Sequence, residues 1–267
     1  MDAFKKRVKE LLAEKSVNLV IGYEEADDKS ARALFMSAPG DADRLILDSR
    51  CVQNLALYLK KKEIRKLGKI AIVAPLHVVR SVLQMASENQ IKEKEVILLS
   101  PAPDKTLQEL ADFKGMEGYV AQNPAALPEK DLETIRKLDA MTPSERFAFW
   151  RKEFAKCIKC YACRAACPMC FCGRCQVEYN QPQIVTVEAT PLGNLEWHFM
   201  RAMHLAGRCV NCGECGRSCP VGIPVHLLSF KTCLTVKESF DARAGMGAEM
   251  KSVMSNFRPE DKENFIK

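Results

Sequence analysis

The sequence predicts an α+β chain of two domains, an N-terminal α/β domain followed by a mainly helical one. Three observations predict it. Upstream, short runs rich in Val, Ile and Leu alternate with stretches of helical periodicity. From Asn123 to Pro128 the chain reads Asn-Pro-Ala-Ala-Leu-Pro, a linker signal. Downstream, two runs repeat one cysteine spacing and close with the same proline: Cys157, Cys160, Cys163, Cys167-Pro168 and Cys209, Cys212, Cys215, Cys219-Pro220.

Residues 1–12 form a charged amphipathic helix without the apolar middle of a secretory signal. Residues 17–23, 44–47, 69–74 and 95–100 read as short buried strands, with helices at 51–62 and 77–90 between them. That alternation implies an α/β layer with a partly parallel sheet, and Gly68 and Asn89 are helix-ending punctuation. This first domain is expected to span 1–125. A helical linker at 126–156 contains helices at 129–140 and 143–156. The second opens with Thr142 as N-cap, Pro143 at the first helical position and Glu145 at the third, and delivers Cys157. The cysteine-rich domain spans 157–235, with a helix at 193–207, and a tail covers 236–267.

The repeated spacing is the ligand pattern of a two-cluster [4Fe–4S] ferredoxin. In such proteins the first three cysteines of a run wrap one cubane and the fourth reaches across to the other. Cys157, Cys160, Cys163 and Cys219 are therefore expected on one cluster, and Cys209, Cys212, Cys215 and Cys167 on the second. Pro168 and Pro220 end the helical turn that presents the crossing thiolate. Paired C-x2-C units also build tetrahedral zinc sites, but two complete copies with the proline favour iron and sulfide. With four protein ligands per cluster no iron is left open to substrate, so the clusters relay electrons without bond chemistry. A further trio, Cys170, Cys172 and Cys175, suggests a third iron–sulfur or zinc site. Its fourth ligand would come from Cys51 or Cys233, although Cys233 reads as core; alternatively the trio supplies some of the eight regular ligands. His198 and His204 fall on different faces of a helix, a poor arrangement for ligation. His226 is placed to donate to a sulfur.

The totals narrow the class. The 267 residues are 47% hydrophobic and 28% charged, ordinary globular usage, with thirteen cysteines that suit metal in a reducing, oxygen-poor cytoplasm better than disulfides. No apolar run approaches the ~20 residues needed to cross a bilayer. Eight thiolates and two cubane cores of roughly +2 each bring the formal charge of +6 to about +2, which removes the electrostatic case for nucleic acid. The bases Lys156, Lys159, Arg164, Arg174, Arg208 and Arg217 beside the ligands either compensate cluster charge or form a solvated face. Dinucleotide and P-loop fingerprints, hydrolase triads and metalloprotease patterns are absent from the sequence. Glu24, Glu25, Asp27 and Asp28 read as a solvated turn.

Four segments carry a resemblance: Phe149-Trp150-Arg151-Lys152-Glu153-Phe154 leading into Cys157, Cys167-Pro168-Met169-Cys170-Phe171-Cys172, Trp197-His198 with Arg201 through Cys209, and Cys219-Pro220-Val221-Gly222-Ile223-Pro224. Across 145–235 the chain resembles the iron–sulfur beta subunits related to deazaflavin-reducing hydrogenases and formate dehydrogenases, which often accompany heterodisulfide-reductase-like flavoproteins. Residues 19–25, 51–55 and 88–91 are similar to that family's N-terminal domain. Where relatives carry Gly-Cys-Asp-Ser-Arg and Pro-Cys, this chain has Leu76-His77-Val78-Val79-Arg80 and Pro101-Ala102. The resemblance thus implies a domain that keeps its fold without its redox centre and without FAD, with His77 a candidate substitute ligand. It implies an electron-transfer subunit of a multi-subunit anaerobic redox complex, electron-bifurcating complexes included. Its partners would be flavoprotein and dehydrogenase or hydrogenase subunits. The rival is a flavin-dependent oxidoreductase subunit reducing a deazaflavin, a nicotinamide or a small substrate.

Overall fold

The computed structural model describes residues 1–124, 126–179, 181–256 and 259. Residue 125 of the linker signal, and 257–258 and 260–267 of the expected tail, lie outside the described residues. The chain divides into two compact units, Met1–Ala125 with Gly245–Met250, and Ala126–Ala244 with Lys251–Lys267.

In the first unit, helix α1 (Asp2–Ala13) precedes a five-stranded sheet of order β2-β1-β3-β4-β5. Strands β1 (Leu19–Asp27), β3 (Ile70–Val73) and β4 (Val96–Pro101) are parallel in the centre. Strands β2 (Ser30–Met36) and β5 (Leu107–Leu110) flank them antiparallel. Ile21 pairs with Ile72 and Ile72 with Leu98, a fully buried row typical of parallel strands covered on both faces. Helices α2 (Lys62–Arg65), α3 (Leu76–Ser87) and α4 (Phe113–Gln122) complete the unit, and α3 buries Val78, Val79, Val82 and Leu83. Gly68 and Asn89 take the left-handed backbone just past α2 and α3, as their types suggest.

Hydrophobic pattern missed β2, β5 and α4. Edge strands bury little: β2 buries Leu34 and Met36, and β5 only Leu110. The strand expected at 44–47 does not form. Pro39–Arg44 is a 3-10 turn, and Ile46 alone bridges β1, its N–H donating to the Tyr23 carbonyl at 2.9 Å beyond the end of the short β3. The helix expected at 51–62 is a 3-10 turn at Leu55–Lys60, capped by Asn54, followed by α2. The acidic patch lies at the β1–β2 hairpin. The Asp27 carboxylate accepts from the Ser30 hydroxyl at 2.7 Å and the Lys29 N–H at 2.8 Å, bonds that hold it below the usual carboxylate range. Glu24, in contrast, is buried and paired with Arg32 and Arg44.

The second unit contains α5 (Glu129–Ala140), α6 (Pro143–Ala155), α7 (Ala162–Ala165), α8 (Pro191–His204), α9 (Glu214–Arg217) and α10 (Val225–Phe240). The capping box of α6 forms: Thr142 Oγ1 accepts from the Glu145 N–H at 3.3 Å, and the Glu145 carboxylate accepts from the Thr142 N–H at 2.8 Å. Trp150 and Phe154 of α6 join Leu195 of α8, Leu227 and Phe230 of α10, and Ile135 and Leu138 of α5 in one core. Helix α10 continues past 235 to Phe240, and residues 245–250 pack with the first unit. There the Gly245 N–H donates to Gln84 Oε1 at 2.9 Å, and its positive φ of 70° leaves no room for a side chain against the Arg80 carbonyl.

His198 of α8 is buried and stacks flat on Phe154, ring centroids 4.3 Å apart. Burial, with the Arg201 and Lys159 charges, pushes its pKa down to about 3. The unfolded chain therefore takes up a proton at this ring below pH ~6.5 that the folded chain refuses, so stability falls as pH drops through that window. Between pH 6.5 and 5 the loss is about 2 kcal/mol. Thermal melts of His198→Phe, which keeps the aromatic contact, are expected to depend less on pH than the parent over this range; parallel curves would show that His198 is not the sensor.

Candidate metal centre

The two cysteine runs adopt one backbone twice. Lys159 (φ 49°) and Tyr161 (φ 59°) in the first, and Asn211 (φ 62°) and Gly213 (φ 73°) in the second, take the left-handed conformation on either side of the second cysteine. Tyr161 and Gly213 then start the short helices α7 and α9, which carry Cys163 and Cys215. Alternation of left- and right-handed residues turns successive N–H groups toward one point, a concavity that suits anions including iron–sulfur clusters. The Lys159 N–H donates to Cys157 Sγ at 3.4 Å, Asn211 makes the matching bond to Cys209, and the Ile223 N–H donates to Cys219 Sγ at 3.3 Å. N–H···S bonds favour thiolate, so these residues fit a cubane.

Helix packing brings the runs together. At the end of α6, the buried Asn194 of α8 donates to the carbonyls of Phe154 at 3.1 Å and Cys157 at 2.8 Å, which fixes the first cysteine. Thiols from opposite runs then lie within electrostatic reach: Cys157 with Cys219, Cys163 with Cys215, and Cys167 with Cys212. Burial pushes the Cys163 and Cys215 thiols up to about 12. Hydrogen bonding to Cys170 and to Cys233, then burial, raises Cys167 and Cys209 well above the ordinary range. Such thiols give up their protons to a metal rather than to water, so loading is coupled to proton release.

Among these sulfurs lies a cation that sequence reasoning missed. Arg201 of α8 is 4% exposed and donates to the Cys163 carbonyl at 3.0 Å. Burial opposes its charge, but Cys170, Cys167, Cys215 and Cys163 outweigh that, so its pKa is raised. Nothing in the spacing marks it, because it sits eight residues before the nearest cysteine, Cys209, and reaches the site only through α8. The bases adjacent to the ligands have structural partners instead. Arg164 donates to the Cys172 carbonyl at 2.6 Å, Arg217 to that of Cys212 at 2.7 Å, and Arg208 to that of Met169 at 3.4 Å. Lys159 is buried and donates to the Thr186 carbonyl, Lys156 pairs with Glu153 at 2.6 Å, and Arg174 lies over the Tyr179 ring.

The remaining candidates separate. Cys170, Cys172 and Cys175 line one pocket of about 470 Å³ in the second unit, together with His204. Cys233 donates to the Cys209 carbonyl at 3.4 Å, so it touches the site instead of serving only as core. His226 is set against Asp131 at 3.3 Å rather than a sulfur, since α10 packs on α5. In the first unit, the buried Cys51 thiol lies 3.4 Å from the Asp48 N–H within its own turn, and His77 Nε2 is 3.4 Å from the Gln53 carbonyl. Among the described residues no three His, Cys, Asp or Glu side chains converge on a point that one metal ion could occupy.

Comparison with known proteins gives this geometry a family context. A 4Fe-4S dicluster domain is matched over residues 153–223. The F420-dependent formate dehydrogenase subunit beta of Methanocaldococcus jannaschii is 34% identical over 90 residues, 34% of this chain and 23% of that protein. The F420-dependent formate dehydrogenase 1 subunit beta of Methanococcus maripaludis is 32% identical over 100 residues, 38% of this chain and 25% of that one. The matched segment thus spans about a quarter of these relatives. Over the matched region the chain carries a 4Fe-4S dicluster domain with two [4Fe–4S] clusters, and there it is similar to formate dehydrogenase beta subunits. No helix among the described residues is long and apolar enough to cross a membrane.

A fixed positive charge beside a cluster favours the reduced, more negative state. Arg201→Gln is therefore expected to lower cluster potential by about 60 mV, a tenfold change in a one-electron equilibrium, and Arg201→Lys to restore most of it. Redox titration followed by EPR reads the shift; equal potentials in all three proteins would assign Arg201 to packing alone.

Proposed function

We propose that this chain is the relay subunit of a multi-subunit anaerobic redox complex in the cytoplasm, passing single electrons between a flavoprotein and a dehydrogenase or hydrogenase subunit that performs the chemistry. Formate dehydrogenase and heterodisulfide-reductase-like assemblies, electron-bifurcating ones included, fit this description. Cys157, Cys160, Cys163 and Cys219 hold one cluster, and Cys209, Cys212, Cys215 and Cys167 the other. The observation that carries the reading is that Cys157 lies within electrostatic reach of Cys219 and Cys167 within reach of Cys212, which brings the fourth cysteine of each run to one of the first three of the other. Clusters that exchange a ligand in this way are close neighbours, as a relay requires. Four protein thiolates on each leave no iron open to substrate, which places catalysis on a partner.

The first unit acts as a scaffold domain that keeps its fold without a redox centre of its own. Its Cys51 is engaged in a turn, and the positions at which the resemblance implies further cysteines hold His77 and Ala102.

Paired variants test the crossed ligation. Cys157→Ser with Cys219→Ser is expected to remove about four irons from the anaerobically prepared chain, because both ligands serve one cluster. Cys157→Ser with Cys167→Ser is expected to damage both clusters and remove about eight. Equal losses from the two pairs would refute the assignment, and a parent containing zinc without sulfide would overturn the relay.

A further inference from the structure

We infer that the loop carrying Cys170, Cys172 and Cys175 holds a third iron–sulfur cluster in the pocket it lines, next to the cluster served by Cys167. The inference extends the relay reading and stands whether or not the fourth cysteines cross.

Three observations converge. The three thiols line one pocket of about 470 Å³, within the size range of cofactor sites, roughly 300–1,000 Å³. Arg164, Arg201 and Arg208 stand in the same wall, beside the imidazole of His204. A cubane core of roughly +2 on three thiolates carries about one negative charge, and these guanidinium groups offset it. Arg201 is 4% exposed and its Nε has no hydrogen-bond partner, a buried donor left for something the pocket would contain.

The loop is also held in shape. Arg208 donates to the Met169 carbonyl at 3.4 Å and lies over the Phe171 ring, and Arg164 donates to the carbonyls of Cys172 at 2.6 Å and Gly173 at 3.3 Å. Backbone braced at these points presents the thiols at low entropic cost. A zinc ion is the weaker occupant, because no three ligand side chains among the described residues converge on one ion. The same is true of the motif cysteines, whose thiolates each bind a different iron. On loading, each thiol exchanges its proton for iron, and His204 is the imidazole in the wall available to the fourth iron. Cys170 hydrogen-bonds Cys167, so the new cluster adjoins the second one and lengthens the chain of centres.

Anaerobic preparation of the full chain, with iron, sulfide and zinc counted, provides the test. The expected parent holds about twelve irons and sulfides. Cys172→Ser with Cys175→Ser, which spares the Cys167 contact, is expected to lose about four of each while retaining the coupled EPR signals of the two remaining reduced clusters. Helical circular dichroism shows that the variant is folded. A parent with about eight irons, one zinc lost with the pair, or an unchanged iron count in the variant would each overturn the third cluster. Failure of the relay itself reads differently, as absence of the four-iron loss in Cys157→Ser with Cys219→Ser.

Discussion

A buried cation held by sulfur is the interaction on which the second unit depends. Taking a guanidinium out of water costs several kcal/mol unless anions and hydrogen-bond acceptors replace the solvent. Arg201 meets that requirement with the Cys163 carbonyl and with thiols from both cysteine runs. The converse also holds: anionic clusters in a poorly hydrated interior need positive charge close by. Arginine and sulfur therefore each make the other's burial tolerable, and α8 is the element that brings them together.

That role explains the packing around α8. Phe154 of α6 stacks on His198, one turn ahead of Arg201, and Asn194, one turn earlier still, donates to the carbonyls of Phe154 in α6 and of Cys157 just past it. Residues 194, 198 and 201 follow helical spacing along one face, so a single helix orients the first cysteine, the aromatic core and the buried charge. The long insertion between the two runs then has a physical purpose, because a compact ferredoxin loop has no room for such a helix. Keeping His198 neutral is part of the same economy: beside Arg201, a second cation would be repelled.

Much of this was legible in the sequence. The capping residues Thr142, Pro143 and Glu145 mark the start of α6 because each satisfies a local backbone requirement within a few residues. The cysteine spacing and the prolines encode a local backbone that recurs in both runs, down to the left-handed positions. Illegible were the edge strands β2 and β5, which bury only one or two side chains, and the segment 44–47, an apolar run of which Ile46 alone bridges β1, past the end of the short β3. Hydrophobic runs report burial, and burial alone does not distinguish a strand from a packed turn.

The sequence by itself determined the repeated backbone of the two cysteine runs and the helices that begin and end around them, since spacing, proline and caps act over short stretches of chain. Only the tertiary structure decided that Arg201 and Asn194 serve the metal centre, that His226 turns to Asp131, and that Gly245–Met250 packs with the first unit. Those outcomes rest on contacts between residues far apart in the chain, and their strength comes from burial and charge, which no local pattern specifies.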